Sequence, residues 1–346
     1  MSVNRRAVLA SAPALLLALS ACSTGSAADG GSAAKGDESP SAESGSFPVT
    51  IEHAFGKTKV TKAPTRIATV GWNDHDVVAS FGVVPVGATK ITWGGNEQGS
   101  SDWFDQAVKE ADPDAEIVRY DDADGIPVAE IAKLTPDLIL GVNSGLTKED
   151  YDKLSKIAPT IAYPDLAWGT PWQESVATIG KALGRPDEAD QLIEETNQLL
   201  DDAVAKNSAV KGKSVAWASF SPTDTSKIDI YTSIDLRPQL LRRFGMDDAG
   251  IVKENSDGDA FFFSVSAEKA RDIDADVLIF YVTEQKEIDA LKSDPLLGRI
   301  PAIERGSFVA SADNTVAMTM SSPSPISMKV AVTQFLPQVA EAAKAV

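Results

Sequence analysis

From residue 66 onward the chain alternates short apolar runs with longer amphipathic stretches, and this alternation narrows its folds more than any other feature. Runs at 66–70, 84–88, 138–142 and 160–163 read as strands of a first half. Runs at 214–220, 228–232, 277–281 and 307–311 read as strands of a second. Strands apolar on both faces need helices over both, so the pattern predicts an α/β protein with largely parallel sheets, one in each half.

Between the halves, Ala189, Leu192, Ile193, Thr196, Leu199, Leu200, Ala203 and Val204 recur at spacings of three and four. They make one apolar stripe along a helix of about twenty residues. Gly184 closes the helix before it, Pro186 suits its first turn, and Asp187 and Glu188 complement its dipole. The stripe allows packing on one half alone or a rod bridging both. The midway position favours the rod.

The single cysteine, Cys22, ends Leu19-Ser20-Ala21-Cys22, after Arg5, Arg6 and an apolar run over 7–19 that is too short to span a bilayer. This is the pattern of a bacterial lipoprotein signal, with Cys22 as the lipid-accepting thiol. Asn4-Arg5-Arg6-Ala7-Val8-Leu9 also resembles a twin-arginine signal, with Val8 in place of the usual phenylalanine, and both export routes stay open. Residues 23–46 are small and polar, and cannot repay the entropy of ordering. They read as a tether spanning about 25 to 30 Å. The expected plan is a signal peptide over 1–21 and a lipidated cysteine with tether over 22–46. An N-terminal lobe at 47–185, an interlobe helix at 186–208 and a C-terminal lobe at 209–346 follow. The body would sit on the extracytoplasmic face of the cell membrane.

The net charge of −18, which becomes −20 once Arg5 and Arg6 leave with the signal, makes nucleic acid a poor partner. One cysteine allows neither an internal disulfide nor a thiolate metal site, and two histidines, His53 and His75, are too few for a naked transition metal. No metal site and no cofactor are expected. Asp74-His75-Asp76 is the one acid–base cluster in the sequence, but adjacent residues diverge on a helix. Without a nucleophile elbow, zinc motif or phosphate loop, the chain is not expected to be an enzyme.

Aromatics at strand ends carry more information. Trp72 follows the first strand, Trp93 lies in a glycine-rich run, and Trp168 and Trp172 follow the run at 160–163. Tyr231 ends a strand of the second half, and Phe262 lies within Phe261-Phe262-Phe263 ahead of an expected helix. Such rings suit a flat, apolar ligand, although each is equally suited to a core. Trp217, inside the run at 214–220, reads as core, and Trp103 as a helix-face residue.

The order of short motifs resembles the substrate-binding lipoproteins of ABC importers, in the group that binds ferric siderophores and cobalamin. Phe55-Gly56-Lys57-Thr58 with Ala63-Pro64-Thr65-Arg66-Ile67-Ala68 resembles the opening hairpin and first strand of that family. Phe81-Gly82-Val83-Val84-Pro85-Val86-Gly87 resembles its turn, and Ile131-Ala132-Lys133-Leu134-Thr135-Pro136-Asp137-Leu138-Ile139 its helix-to-strand joint. Thr178-Ile179-Gly180-Lys181-Ala182-Leu183-Gly184, Ile273-Asp274-Ala275-Asp276-Val277-Leu278-Ile279 and Asp294-Pro295-Leu296-Leu297 continue the series.

The resemblance implies a class III periplasmic-binding-protein-like fold: two Rossmann-like lobes joined by one long interlobe helix, with the ligand in the cleft between them. It implies a ferric siderophore as ligand, an ABC permease and its ATPase as partners, and action as a monomer. Tyr231-Thr232-Ser233-Ile234-Asp235-Leu236-Arg237-Pro238 resembles the segment in which a tyrosine and an arginine meet ligand oxygens, so Arg237 joins the site; a surface pair with Asp235 is its alternative. Glu268 stands where the family's second docking glutamate is expected. The first-lobe match falls on Ala129, with Glu130 one residue late. The few cations near these loops favour a neutral or cationic hydroxamate complex over a tri-anionic catecholate. A cobalamin or haem receptor, or a sensor or adhesin on the same fold, are the alternatives.

Overall fold

The computed structural model describes residues 42–221 and 224–346. Cys22, the signal at 1–21 and most of the expected tether lie outside the described residues.

The first half opens with a hairpin of β1 (Val49–His53) and β2 (Gly56–Val60). Its parallel sheet comprises β3 (Ile67–Thr69), β4 (Gly87–Thr89), β5 (Val118–Tyr120), β6 (Leu138–Gly141) and β7 (Thr160–Ala162), in the order β5-β4-β3-β6-β7. Helices α1 (Asp74–Ser80), α2 (Asp102–Ala111), α3 (Val128–Lys133), α4 (Lys148–Leu154) and α5 (Trp172–Leu183) alternate with these strands. Strands β3, β6 and β7 are buried along their whole length, which is why they read as continuous apolar runs.

Helix α6 (Pro186–Lys206) starts one residue past Gly184, whose φ of +74° caps α5 in the left-handed conformation that glycine adopts without strain. It packs on α5 and, across the molecule, on α12 (Met328–Val330) and the π-helical turn Ala331–Phe335. One apolar core runs from Ile51 through Leu200 to Val339. Full burial of Leu200 alone contributes about 1.5 to 3 kcal/mol. The helix is therefore a bridge, but it is not the one link. The chain after α11 (Asn314–Ser321) returns to the first half, where Asn73 Nδ2 donates to the Pro323 carbonyl at 2.6 Å and the Ser324 hydroxyl donates to Asp76 at 2.9 Å.

The second half holds β8 (Ser214–Phe220), β9 (Lys227–Tyr231), β10 (Asp247–Asp248), β11 (Phe262–Ser266), β12 (Val277–Tyr281) and β13 (Phe308–Ser311). The order is β11-β9-β8-β12-β13, with β10 beside β8. Strands β8, β12, β13 and β10 are parallel, while β9 and β11 add an antiparallel edge. Helices α7 (Leu236–Arg243), α8 (Gly250–Glu254), α9 (Gln285–Ser293) and α10 (Pro301–Arg305) cover it with α11, and α13 (Leu336–Ala343) closes the chain. The fold is α/β: two halves with largely parallel sheets joined by a long helix.

Two expectations need correction. The Phe261-Phe262-Phe263 segment opens strand β11 rather than leading into a helix. Its alternating exposure marks an edge strand whose solvent face happens to carry a phenylalanine. At the other end, residues from 43 onward are not part of a free tether. The Glu43 N–H donates to the Gly184 carbonyl at 2.8 Å, and its carboxylate accepts from the Asp187 N–H at 2.9 Å, capping α6.

Candidate functional site

In the first sheet the chain leaves β3 towards β4 and β5, but leaves β6 towards β7 on the other side. The gap between the carboxyl ends of β3 and β6 is thus the topological switch point, where parallel α/β sheets leave a crevice. Trp72 follows β3 and Asn143 follows β6, and the Trp72 N–H donates to the Asn143 carbonyl at 2.9 Å. The Trp168 N–H donates to the Ser144 carbonyl at 3.0 Å, bringing its indole edge-on to Trp72 with ring centroids 5.8 Å apart. Trp168 has φ +62°, a left-handed conformation costing a non-glycine residue about 1 to 2 kcal/mol. Gly145 makes room for it, because a Cβ there would run into the indole nitrogen. Both rings stay open to solvent, Trp72 at 40% and Trp168 at 43% exposure.

The facing wall comes from the second half. Tyr231 ends β9, and Asp235 caps α7 by accepting from the Arg237 N–H at 2.9 Å. The Arg237 guanidinium turns back on that cap, donating to both Asp235 oxygens at 2.7 and 2.8 Å and to the Tyr281 hydroxyl at 3.1 Å. Its carbon lies 3.7 Å from the centroid of the Tyr231 ring. Trp93, from the first half, meets Tyr281 edge-on at 5.3 Å.

A cavity of about 260 Å³ lies between these walls, lined by Trp72, Asn143 and Trp168 on one side and by Tyr231, Arg237 and Phe261 among others on the other. A larger cavity, about 580 Å³, adjoins Phe220, Phe280 and Leu291. It is bounded by second-half residues alone, so the smaller one marks the cleft between the halves.

Burial raises the pKa of Tyr231, partly opposed by Arg237, and pushes Tyr281 up to about 12 against the same opposition. Both phenols keep their protons at neutral pH. Burial alone would lower the Arg237 pKa, but the hydrogen bonds and charge of Asp235 outweigh it and hold the guanidinium protonated. The cleft thus presents hydrogen-bond donors and aromatic faces around an ion pair with no net charge.

Behind the switch point, Asp74, His75 and Asp76 are all buried at the start of α1, and the two carboxylates turn to different partners. Asp74 accepts from the N–H groups of Val142 and Asn143 at 2.7 and 3.1 Å, while Asp76 accepts from the Trp103 indole at 2.8 Å. His75 faces the Phe104 ring with its Nε2 3.4 Å from Asp76 Oδ1, and neither of its nitrogens makes a hydrogen bond among the described residues. Burial, then the charge of Arg119, lowers its pKa to about 3, whereas burial pushes Asp74 and Asp76 up to about 6. A lowered imidazole pKa contributes stability that is complete above 6.5 and is lost as pH falls towards 3, because only the unfolded chain takes the proton. The carboxyls act in the opposite sense, losing their contribution as pH rises through 6. Replacing His75 with leucine is therefore expected to help the folded state most in acid. Between pH 6 and 4 the mutant should gain on the wild type by up to about 1.4 kcal/mol per pH unit, read by urea unfolding at each pH; parallel curves would refute it.

A profile of the family described as periplasmic binding proteins matches residues 67–314, well over half of the chain. The chain belongs to the periplasmic binding protein family. Among its relatives is a Bacillus subtilis protein, YhfQ, provisionally named an ABC transporter substrate-binding lipoprotein, 24% identical over 75% of this chain and 79% of that one. The iron(3+)-hydroxamate-binding protein YxeB of the same organism is 28% identical over 63% of this chain and 59% of its own. The crystal structure of PiaA from Streptococcus pneumoniae TIGR4 in complex with ferrichrome has a TM-score of 0.81 at 38% identity, covering 86% of this chain and 99% of that one.

Of the residues singled out from sequence, this binding protein gathers Trp72, Trp168, Tyr231 and Arg237 at one cavity, with Trp93 beside it through Tyr281. Trp172 is elsewhere: the first residue of α5, it is 4% exposed and packed into the core. Phe262 is 52% exposed opposite Tyr231, and the neighbouring Phe261 lines the cavity instead. Glu130 is exposed on α3, as is Ala129, and Glu268 is exposed on the turn after β11. Sequence reasoning missed Tyr281, which the strand-end rule applied to Tyr231 would have found, and Asn143, for which no sequence signal existed.

Proposed function

We propose that this chain is the substrate-binding component of an ABC importer and that it captures a ferric siderophore of hydroxamate type between its halves without changing a covalent bond. The observation that carries the reading is the cavity shared by the two halves, walled by Trp72, Trp168 and Tyr231 and furnished with Arg237. Indole and phenol faces suit the organic shell of a metal complex, and a guanidinium suits hydroxamate oxygens. Among the described residues no group of three or more histidine, cysteine, aspartate or glutamate side chains is placed to hold a bare metal ion. The 38% identical PiaA, solved with ferrichrome, points to the same ligand chemistry. The cavity is smaller than most ligand clefts, so the complex would project past the exposed rims of Trp72 and Trp168.

One relative, 28% identical, is named a ferric enterobactin-binding protein, a catecholate reading. The Arg237–Asp235 pair argues against it, since a tri-anionic complex would meet no uncompensated cation there. Titrating tryptophan fluorescence with ferrichrome, ferrioxamine B, ferric enterobactin, cobalamin and haem tests the assignment. Sub-micromolar quenching by the hydroxamates is expected; tighter binding of any of the other three would replace it.

Delivery to a permease with its ATPase, action as a monomer and anchoring through Cys22 complete the proposal. For docking we assign Glu268 and, on the other half, Glu130 or its neighbourhood; both are exposed and carry the sign that arginines on a permease would meet. Glu268→Lys is expected to abolish cellular uptake while leaving ligand affinity within twofold. Normal uptake would remove Glu268 from the interface.

A further inference from the structure

Asn143 sits at the wall of the cleft with its main chain fixed and its side chain uncommitted. Its N–H donates to Asp74 at 3.1 Å and its carbonyl accepts from Trp72 at 2.9 Å. Val142, just before it, donates its N–H to Asp74 at 2.7 Å and accepts from the Thr170 hydroxyl at 2.7 Å. These bonds hold both sides of the residue. The residue is 1% exposed, yet among the described residues neither its amide oxygen nor its amide nitrogen has a hydrogen-bond partner. Asn73, across the switch point, spends its amide nitrogen on Pro323, so the location itself does not deny partners. A buried amide left unpaired costs about 1 to 3 kcal/mol. Asn143 also lines the cavity that Trp72, Trp168, Tyr231 and Arg237 share.

We propose that the Asn143 carboxamide is a ligand-recognition group, pairing its Nδ2 donor and Oδ1 acceptor with an amide of the siderophore's organic shell. The inference rests on the hydroxamate reading of the cleft and sharpens it. A primary amide is matched by a group offering both a carbonyl and an N–H, which a peptide-like or amide-linked hydroxamate shell supplies. A catecholate or carboxylate face presents acceptors alone and would leave Oδ1 unpaired. The two-fifths-exposed indoles of Trp72 and Trp168 line the same cavity, so a ligand packed on them would come within reach of the amide. The fixed main chain and the burial of the residue already narrow the positions its amide can take, so binding has less left to restrict.

Asn143→Leu and Asn143→Ala, each measured for ligand-free stability by urea unfolding and for ferrichrome and ferrioxamine B affinity by fluorescence, test the assignment. The leucine variant, close to asparagine in volume, is expected to be at least as stable as the wild type without ligand, and both variants to bind at least tenfold more weakly. Affinity within twofold of wild type in both variants overturns it. So does a ligand-free stability loss in the leucine variant, which would mean that an internal water or the protein already satisfies the amide. If the wild type binds neither hydroxamate, the siderophore reading fails by itself; the stability arm then still decides whether the amide is uncommitted.

Discussion

Arg237→Ala is expected to lose affinity for ferric hydroxamates at least tenfold, about 1.4 kcal/mol, and to lose stability as well. The guanidinium is bound to both Asp235 oxygens, donates to Tyr281 and stacks on Tyr231, so its removal uncouples three groups of the wall. The Asp235 side chain is 7% exposed, and a buried carboxylate stripped of its partner costs about 3 to 5 kcal/mol. The two losses are separable. Asp235→Asn combined with Arg237→Ala removes the stranded charge, so the double mutant should recover much of the stability seen by urea unfolding while binding stays weak. Wild-type affinity in the single mutant would show that Arg237 serves its capping aspartate alone.

Trp217→Ala is expected to be the most damaging core substitution, at about 3 to 5 kcal/mol. The indole lies in the middle of β8 at 1% exposure, stacked on Phe335 with ring planes 6° apart and centroids separated by 5.4 Å. It also touches Tyr281 at 5.5 Å, tying the shared core to the cleft. Trp217→Phe should cost much less, because the indole N–H has no partner among the described residues and disappears with the larger ring. Urea midpoints of the two mutants check the order; a loss below about 1 kcal/mol for alanine would mean that the site collapses around the gap.

The elements most fully read from sequence were those whose residues meet one environment along their length. Strands β8 and β12 were read end to end because each carries an unbroken run of four buried apolar residues, 215–218 and 277–280. Helix α6 was read because one face alone is buried and Pro186 and Gly184 mark its start. Strand β5 was missed: three residues with Arg119 at the centre carry no periodic signal, and parallel pairing to β4 makes it a strand. Strand β11 was missed because its hydrogen bonds come from β9, thirty-odd residues earlier, rather than from its own pattern.

The site divides in the same way. Trp168 and Trp172 are the same residue type four positions apart, yet one lies over Gly145 in a left-handed turn at the cavity and the other begins α5 inside the core. Asn143 is an ordinary asparagine until its backbone is fixed by Asp74 and Trp72 and its amide is left unpaired. Sequence alone determined the layered α/β class, the bridging helix and the supply of rings and one arginine, because those follow from local periodicity and residue chemistry. The tertiary structure decided which rings line the cavity between the halves, that Asn143 joins them, that Tyr281 braces Arg237 behind them, and that Asp235 neutralises Arg237. Those outcomes depend on contacts between residues far apart in the chain, where local periodicity carries no information.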